Sequence, residues 1–288
     1  MTREAKIINV FMTIVSILIV LPILLMLAIS FTDEQTLRKN GFEFIPEKLS
    51  FEGYSMFWQA PEQLIKAYGV TIFVTVAGTL LGLLLTTMTA YAISRQDYKL
   101  RKSTTFYIFF TMMFSGGLVP SYILITQYLH MKDTIWVMII PALLSPFLVM
   151  IMKGFLSKLP FEVFESAKMD GAGEWRIFFT IVLPLSLPAL ATVAVILSFQ
   201  YWNDYMLAFL YVENKDLTPV QLMLVRILDN INFLKENAFQ GQVDIKIKDL
   251  PTMSTRMALT VLIAGPMLLV FPFFQRFFIK GLTIGSLK

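Results

Sequence analysis

The chain has no cysteine, a single histidine and only 15% charged residues among its 288. Without cysteine it has no disulfides, thiolate metal sites or thiol catalysis. One imidazole, His130, supplies no histidine pair for a metal site. A soluble domain carries about 25% charged residues, so this chain lacks the groups to cover a water-facing surface. A net charge of +4 is too small to point to nucleic acid. The sequence also has no G-x-x-x-x-G-K-[ST] phosphate loop, no H-E-x-x-H, no internal repeat and no low-complexity tract. These absences leave it without an engine, a metal or an organic cofactor of its own.

What it has is apolar length. Crossing a bilayer core takes about 20 apolar residues as a helix. Six stretches qualify, at about 7–31, 67–94, 103–129, 134–152, 177–203 and 257–279, the uncharged part of the last being 257–275. In lipid each backbone polar group must pair within its own segment, so these runs are expected to be helices. The alternation of a membrane barrel is missing. The first run is too long for the apolar region of a signal peptide, about 7–15 residues, and is expected to be a retained helix. The fold class is therefore all-α, a polytopic membrane protein of six helices in a single transmembrane domain, 1–288.

Charge orients it. The side holding the N-terminus, the 94–103 loop, the 153–176 loop and the C-terminal end has 13 basic and six acidic residues, or +7. The other side is −3. Arg95, Lys99, Arg101 and Lys102 fall in one short loop, where the positive-inside rule is strongest, so both termini are expected in the cytoplasm. The outer face then carries two segments, about 32–66 and 204–256. The first holds Phe51, Tyr54, Phe57 and Trp58, which suit a membrane interface. In the second, Val220, Leu224, Ile227, Leu228 and Ile231 recur at helical spacing. With the last stretch taken as 257–275, none of the six contains Asp, Glu, Lys or Arg, which disfavours proton coupling. Ser115, Ser121, Ser145 and Ser198 have no histidine, lysine or aspartate partner within a span and read as helix–helix hydrogen bonders.

The 153–176 loop is long for a connector. Pro160 fits a helix start, Glu162 and Glu165 favour its dipole, and Phe161 and Phe164 give it an apolar face. Asp170-Gly171-Ala172-Gly173 breaks it, with Gly171 free to take a positive φ, and a second helix begins near Glu174. The result is a helix–turn–helix knob projecting from the bilayer.

Glu165-Ser166-Ala167, then Asp170-Gly171-Ala172, then Ile181-Val182-Leu183-Pro184, resembles the EAA loop of ABC importer permeases, with Ser166 replacing the second alanine. Ser198-Phe199-Gln200-Tyr201-Trp202-Asn203-Asp204 is similar to the end of span five in their carbohydrate branch. Gln275-Arg276-Phe277 through Lys280-Gly281 to Gly285-Ser286-Leu287-Lys288 resembles that branch's C-terminus, and Phe114-Ser115-Gly116-Gly117 a complex-oligosaccharide subgroup of Gram-positive bacteria. The resemblance covers essentially the whole chain. It implies a type I importer permease, non-catalytic, in a bacterial cytoplasmic membrane. Its partners would be a second permease, two cytoplasmic ATPase subunits, an extracytoplasmic sugar-binding protein, membrane lipid and a carbohydrate. It also implies that Phe161, Phe164, Glu165, Ala167, Asp170, Gly171 and Ala172 dock the ATPase. Phe161 and Phe164 would fill its pockets, Glu165 would pair with a basic groove residue, and Asp170 would cap the second helix or hold the turn. Lys280 and Lys288 would lie near that interface. Ser198, Gln200, Tyr201 and Asn203 are candidates for the sugar pathway. A permease for a non-sugar solute and an ATP-independent secondary transporter are the alternatives.

Overall fold

A computed structural model describes residues 3–59, 61–239 and 253–284. Residues 240–252 of the outer segment, residues 285–288 with Lys288, and the side chains of Phe57, Trp58 and Lys280 lie outside the described part. Helices dominate. In chain order they are α1 (Arg3–Ser30), α2 (Glu34–Asn40), α3 (Glu52–Gln59), α4 (Pro61–Ser94), α5 (Arg101–Met113), α6 (Leu118–Ile123) and α7 (Pro146–Leu156). Then follow α8 (Phe161–Met169), α9 (Glu174–Ile177), α10 (Leu183–Leu185), α11 (Leu187–Asn203), α12 (Met206–Tyr211), α13 (Val220–Phe239) and α14 (Met253–Ile284). Among the described residues the only β-pairing is an isolated bridge, Thr32 to Leu49.

Among the described residues three helical stretches are long and apolar enough to cross a membrane: Glu4–Ser30, Pro61–Ser94 and Met253–Val270. The other three apolar runs are not continuous helices as their composition implied. Arg101–Met113 and Leu118–Tyr128 meet at 111°, Ile135–Ala142 and Pro146–Leu156 at 49°, and Glu174–Leu185 and Leu187–Asn203 at 83°. Each break has a chemical cause. Gly117 takes φ 88° between α5 and α6. Pro141 and Pro146 bracket the second break, and Pro184 and Pro188 the third, where their missing N–H groups remove helical hydrogen bonds.

The chain forms two units, 1–65 with 223–266, and 66–222 with 267–288. In the first, Asp33 caps α2 by accepting from the Thr36 N–H, and Glu34 Oε2 accepts from the Ser254 N–H and hydroxyl. Phe31 stacks on Tyr54, whose hydroxyl donates to Ser30 Oγ. Phe51 of the expected interface aromatics is exposed. Helix α1 is apolar on all sides and exposed on nearly all of them, as suits a helix in lipid or against another apolar chain.

In the second unit α4 runs close against α11. A Cβ added to Gly78 would stand 2.5 Å from Tyr201 Cζ, and one at Gly82 3.1 Å from the Leu143 carbonyl. Small residues four apart are what lets helix backbones approach in a membrane. Tyr201 is 3% exposed and donates its hydroxyl to the Ile139 carbonyl. The core continues through Val137, Leu148, Met152, Ile177, Val182 and Leu197. At the end away from the knob, Asp133 sits at φ 61° and its carboxylate accepts from the Glu213 and Asn214 N–H groups, both at 2.8 Å. Lys132 pairs with Glu213 beside it at 2.6 Å.

Candidate functional site: the coupling knob and its anchor

The knob is built as the 153–176 loop suggested, and the motif has a backbone reason. The Ala172 N–H donates to the Ala167 carbonyl and the Gly171 N–H to the Lys168 carbonyl, with Gly171 at φ 76°. That pair of bonds is a Schellman motif, in which the residue after the cap must be left-handed, hence glycine. Small residues at 167 and 172 stand at its two outer corners. Asp170 is the C-terminal cap of α8, while Gly173, not Asp170, occupies the N-cap of α9. Asp170 thus belongs to the turn and does not cap the second helix.

The two faces of α8 differ. Phe164 is 6% exposed and Ala167 is buried, both turned toward this chain's own core. Phe164 stands 6.1 Å from the Tyr91 ring, which in turn stands 5.7 Å from Phe178. The sequence reading put Phe161 and Phe164 into pockets of another protein. Within this chain Phe164 is buried against Tyr91 of α4, and Phe161 is partly buried and packs on the same core, as an apolar face beside an apolar core does. Glu162, Val163, Glu165, Ser166, Met169 and Asp170 form the outward face. Met169 is 88% exposed, more than any other large apolar side chain of the knob. Helical spacing from Phe164 and Ala167 would have marked this face.

Arg95 fastens the knob. It follows α4 directly, is 7% exposed, and grips Asp97 with Nη2 at 2.7 Å and Nε at 3.0 Å. Its guanidinium carbon lies 5.2 Å from the Phe164 ring centre and 5.7 Å from those of Tyr91 and Phe161, a cation held in an aromatic cage. Lys168 of α8 bonds Asp97 Oδ2 at 2.9 Å and Glu174 Oε1 at 2.8 Å, and the Tyr91 hydroxyl donates to Glu174 Oε2 at 2.9 Å. Two cations alternate with two carboxylates, joining α4, the loop after it, α8 and α9. The Arg95 hydrogen bonds, and after them Lys168, hold Asp97 well below the usual carboxylate range. Lys168 is raised, by its Glu174 bond first. Composition counted Arg95 only as a basic loop residue; nothing in its spacing marks it as buried.

The four pathway candidates separate. Tyr201 and Ser198 are buried, Ser198 donating to the Val195 carbonyl. Gln200 is exposed, and so is Asn203, whose Oδ1 accepts from Gln221. Among the described residues no group of three or more histidine or acidic side chains could hold a metal.

The sequence pattern of one family, described as binding-protein-dependent transport system inner membrane component, matches residues 78–284. The chain is 35% identical over 280 residues to the polygalacturonan/rhamnogalacturonan transport system permease protein YtcP of Bacillus subtilis, covering 96% of each. It is 28% identical to the melibiose/raffinose/stachyose import permease protein MelC of the same organism, over 100% of this chain and 98% of that one. A bacterial ABC transporter involved in the import of the acidic polysaccharide alginate shares its fold, with a TM-score of 0.81 at 24% identity over 96% of this chain and 99% of that chain. The chain belongs to the family of binding-protein-dependent transport system inner membrane components, the multi-pass permease subunits of ABC importers.

Proposed function

We propose that the chain is the permease subunit of an ATP-driven importer of oligosaccharides and is itself non-catalytic. The observation that carries this is the knob: an outward face presented by α8 and anchored rigidly to α4, in a chain with no phosphate loop. Relatives named for polygalacturonan/rhamnogalacturonan transport and for melibiose/raffinose/stachyose import support the substrate class. In this reading six spans cross the membrane, counting each bent pair as one, with both termini and the knob in the cytoplasm. A cytoplasmic ATPase grips the outward face of α8, with Glu165 and Asp170 offering charge and Met169 and Val163 apolar contact. Gly171 fits there as well, since a Cβ at that position would meet nothing within 4 Å among the described residues. ATP-driven movement of the ATPase turns α8 and, through Arg95 and Lys168, the end of α4. The central break in span five, at Ser186, lets its two halves respond separately. A second permease supplies the other wall of the pathway, where Gln200 and Asn203 are this chain's exposed candidates.

The test is gentle purification followed by reconstitution. The reading expects an ATPase and a second permease to accompany the chain. It also expects ATP-dependent uptake of a labelled oligosaccharide, with oligogalacturonides and raffinose as first probes, when a binding protein is supplied. Uptake by the chain alone without ATP would overturn it.

A further inference from the structure

The end of unit two that bears the knob holds a second feature, separate from the docking face. Between α5 and α7 lies a cavity of about 410 Å³. Arg101, Lys102 and Lys153 line it at one end, with the Thr105 hydroxyl, which accepts from Lys153 Nζ at 2.9 Å. Phe106, Phe109 and Met150 line the remainder. No lining residue is acidic. Among the described residues none of the three cations has an acidic partner, whereas Arg95, Lys132 and Lys168 of the same unit each hold one. Three like charges gathered at one cavity repel one another unless an anion joins them.

The surroundings say which anion. Beyond the cations, α5 and α7 expose Phe106, Phe109, Met113, Phe147 and Ile151, an apolar face suited to hydrocarbon. Cations at the mouth over an apolar floor repeat the order of an amphiphile, headgroup and then chain. Basic pockets between membrane helices at the membrane surface bind anionic headgroups. We propose that this cavity binds the phosphate headgroup of an anionic phospholipid, Arg101, Lys102 and Lys153 holding the phosphate and Phe106, Phe109 and Met150 the start of an acyl chain. Such a lipid would brace α5 against α7 beside the knob.

The experiment uses the chain, with whatever subunits accompany it, in nanodiscs of equal phosphatidylglycerol and phosphatidylcholine, then extracted mildly for native mass spectrometry. The expected result is retention of phosphatidylglycerol over phosphatidylcholine by wild type and by R101K/K102R. R101Q/K102Q should lose retained phosphatidylglycerol about thirty-fold, on the usual worth of two cations near an anionic headgroup. A charge-matched control, K99Q/K158Q, removes two cations outside the cavity and should retain it. Equal retention of the two lipids by wild type overturns the proposal even if the variants do not fold. So does equal loss in the control. Displacement of the lipid by millimolar inorganic phosphate would mean a soluble anion site. Loss of the ATPase with phosphatidylglycerol kept would assign the cations to a protein partner.

Discussion

Replacing Arg95 by glutamine should uncouple the importer without unfolding it. The variant keeps most of the aliphatic stem and loses both bonds to Asp97 and the cation facing three rings. Removing one partner of a buried ion pair costs about 3–5 kcal/mol. Here the carboxylates of Asp97 and Glu174 are 46% and 54% exposed, and water takes up part of that loss. About 2 kcal/mol is the appropriate figure, with about 0.5–1 kcal/mol more for the lost aromatic contacts. Close to 3 kcal/mol lowers the ratio of seated to unseated knob by about 150-fold. The core through Val137, Leu148 and Leu197 is untouched, so the chain should still insert and bind its ATPase. The assay is sugar taken up per ATP hydrolysed in proteoliposomes. R95Q should keep hydrolysis and lose most uptake, and R95K should recover only part, since lysine lacks the bidentate fork. An unchanged ratio in R95Q would refute the anchoring role.

Gly171→Ala costs about 1 kcal/mol of left-handed backbone strain but meets no described atom within 4 Å, so ATPase co-purification should fall modestly; Gly171→Phe should abolish it while membrane insertion persists. Gly78→Ala drives a methyl into the Tyr201 ring and should lower stability by about 2 kcal/mol, read as the thermal midpoint in detergent, with Tyr201→Leu in the same chain recovering part of the loss. The Asp97 contribution to the anchor is complete above the ordinary carboxylate value of ~3.9 and is lost only as pH falls through its lower folded value. The Lys168 contribution is complete below ~10.4 and is lost as pH rises through its raised folded value. Uptake per ATP should therefore be flat between about pH 5 and 9, and a step near neutrality would show that another group governs coupling.

The long helices and the knob were legible because they rest on local rules: apolar length for α1 and α4, and a glycine in the Schellman turn at residue 171. The breaks were written in Gly117, Pro141, Pro146, Pro184 and Pro188, but hydropathy averages over a window and does not register a bend. Burial was the least legible. Phe164 and Met169 are both apolar residues on one short helix, and only the position of α4 decides that the first is covered and the second is not. Tyr201 likewise stood among the pathway candidates, and its packing on Gly78 depends on the approach of α4 to α11, which the sequence does not display. Arg95 escaped notice because its partners, Asp97, Lys168 and Glu174, are brought together by tertiary structure alone.

The absence of cysteine makes the central claim directly measurable, since any cysteine introduced is unique. Met169→Cys places one on the outward face of the knob, and His130→Cys places one on an exposed loop at the opposite end of the same unit. With a short bifunctional crosslinker in intact membranes, the account predicts an adduct to the ATPase from residue 169 and none from residue 130. Normal uptake with no adduct at 169, or an ATPase adduct at 130, would contradict it.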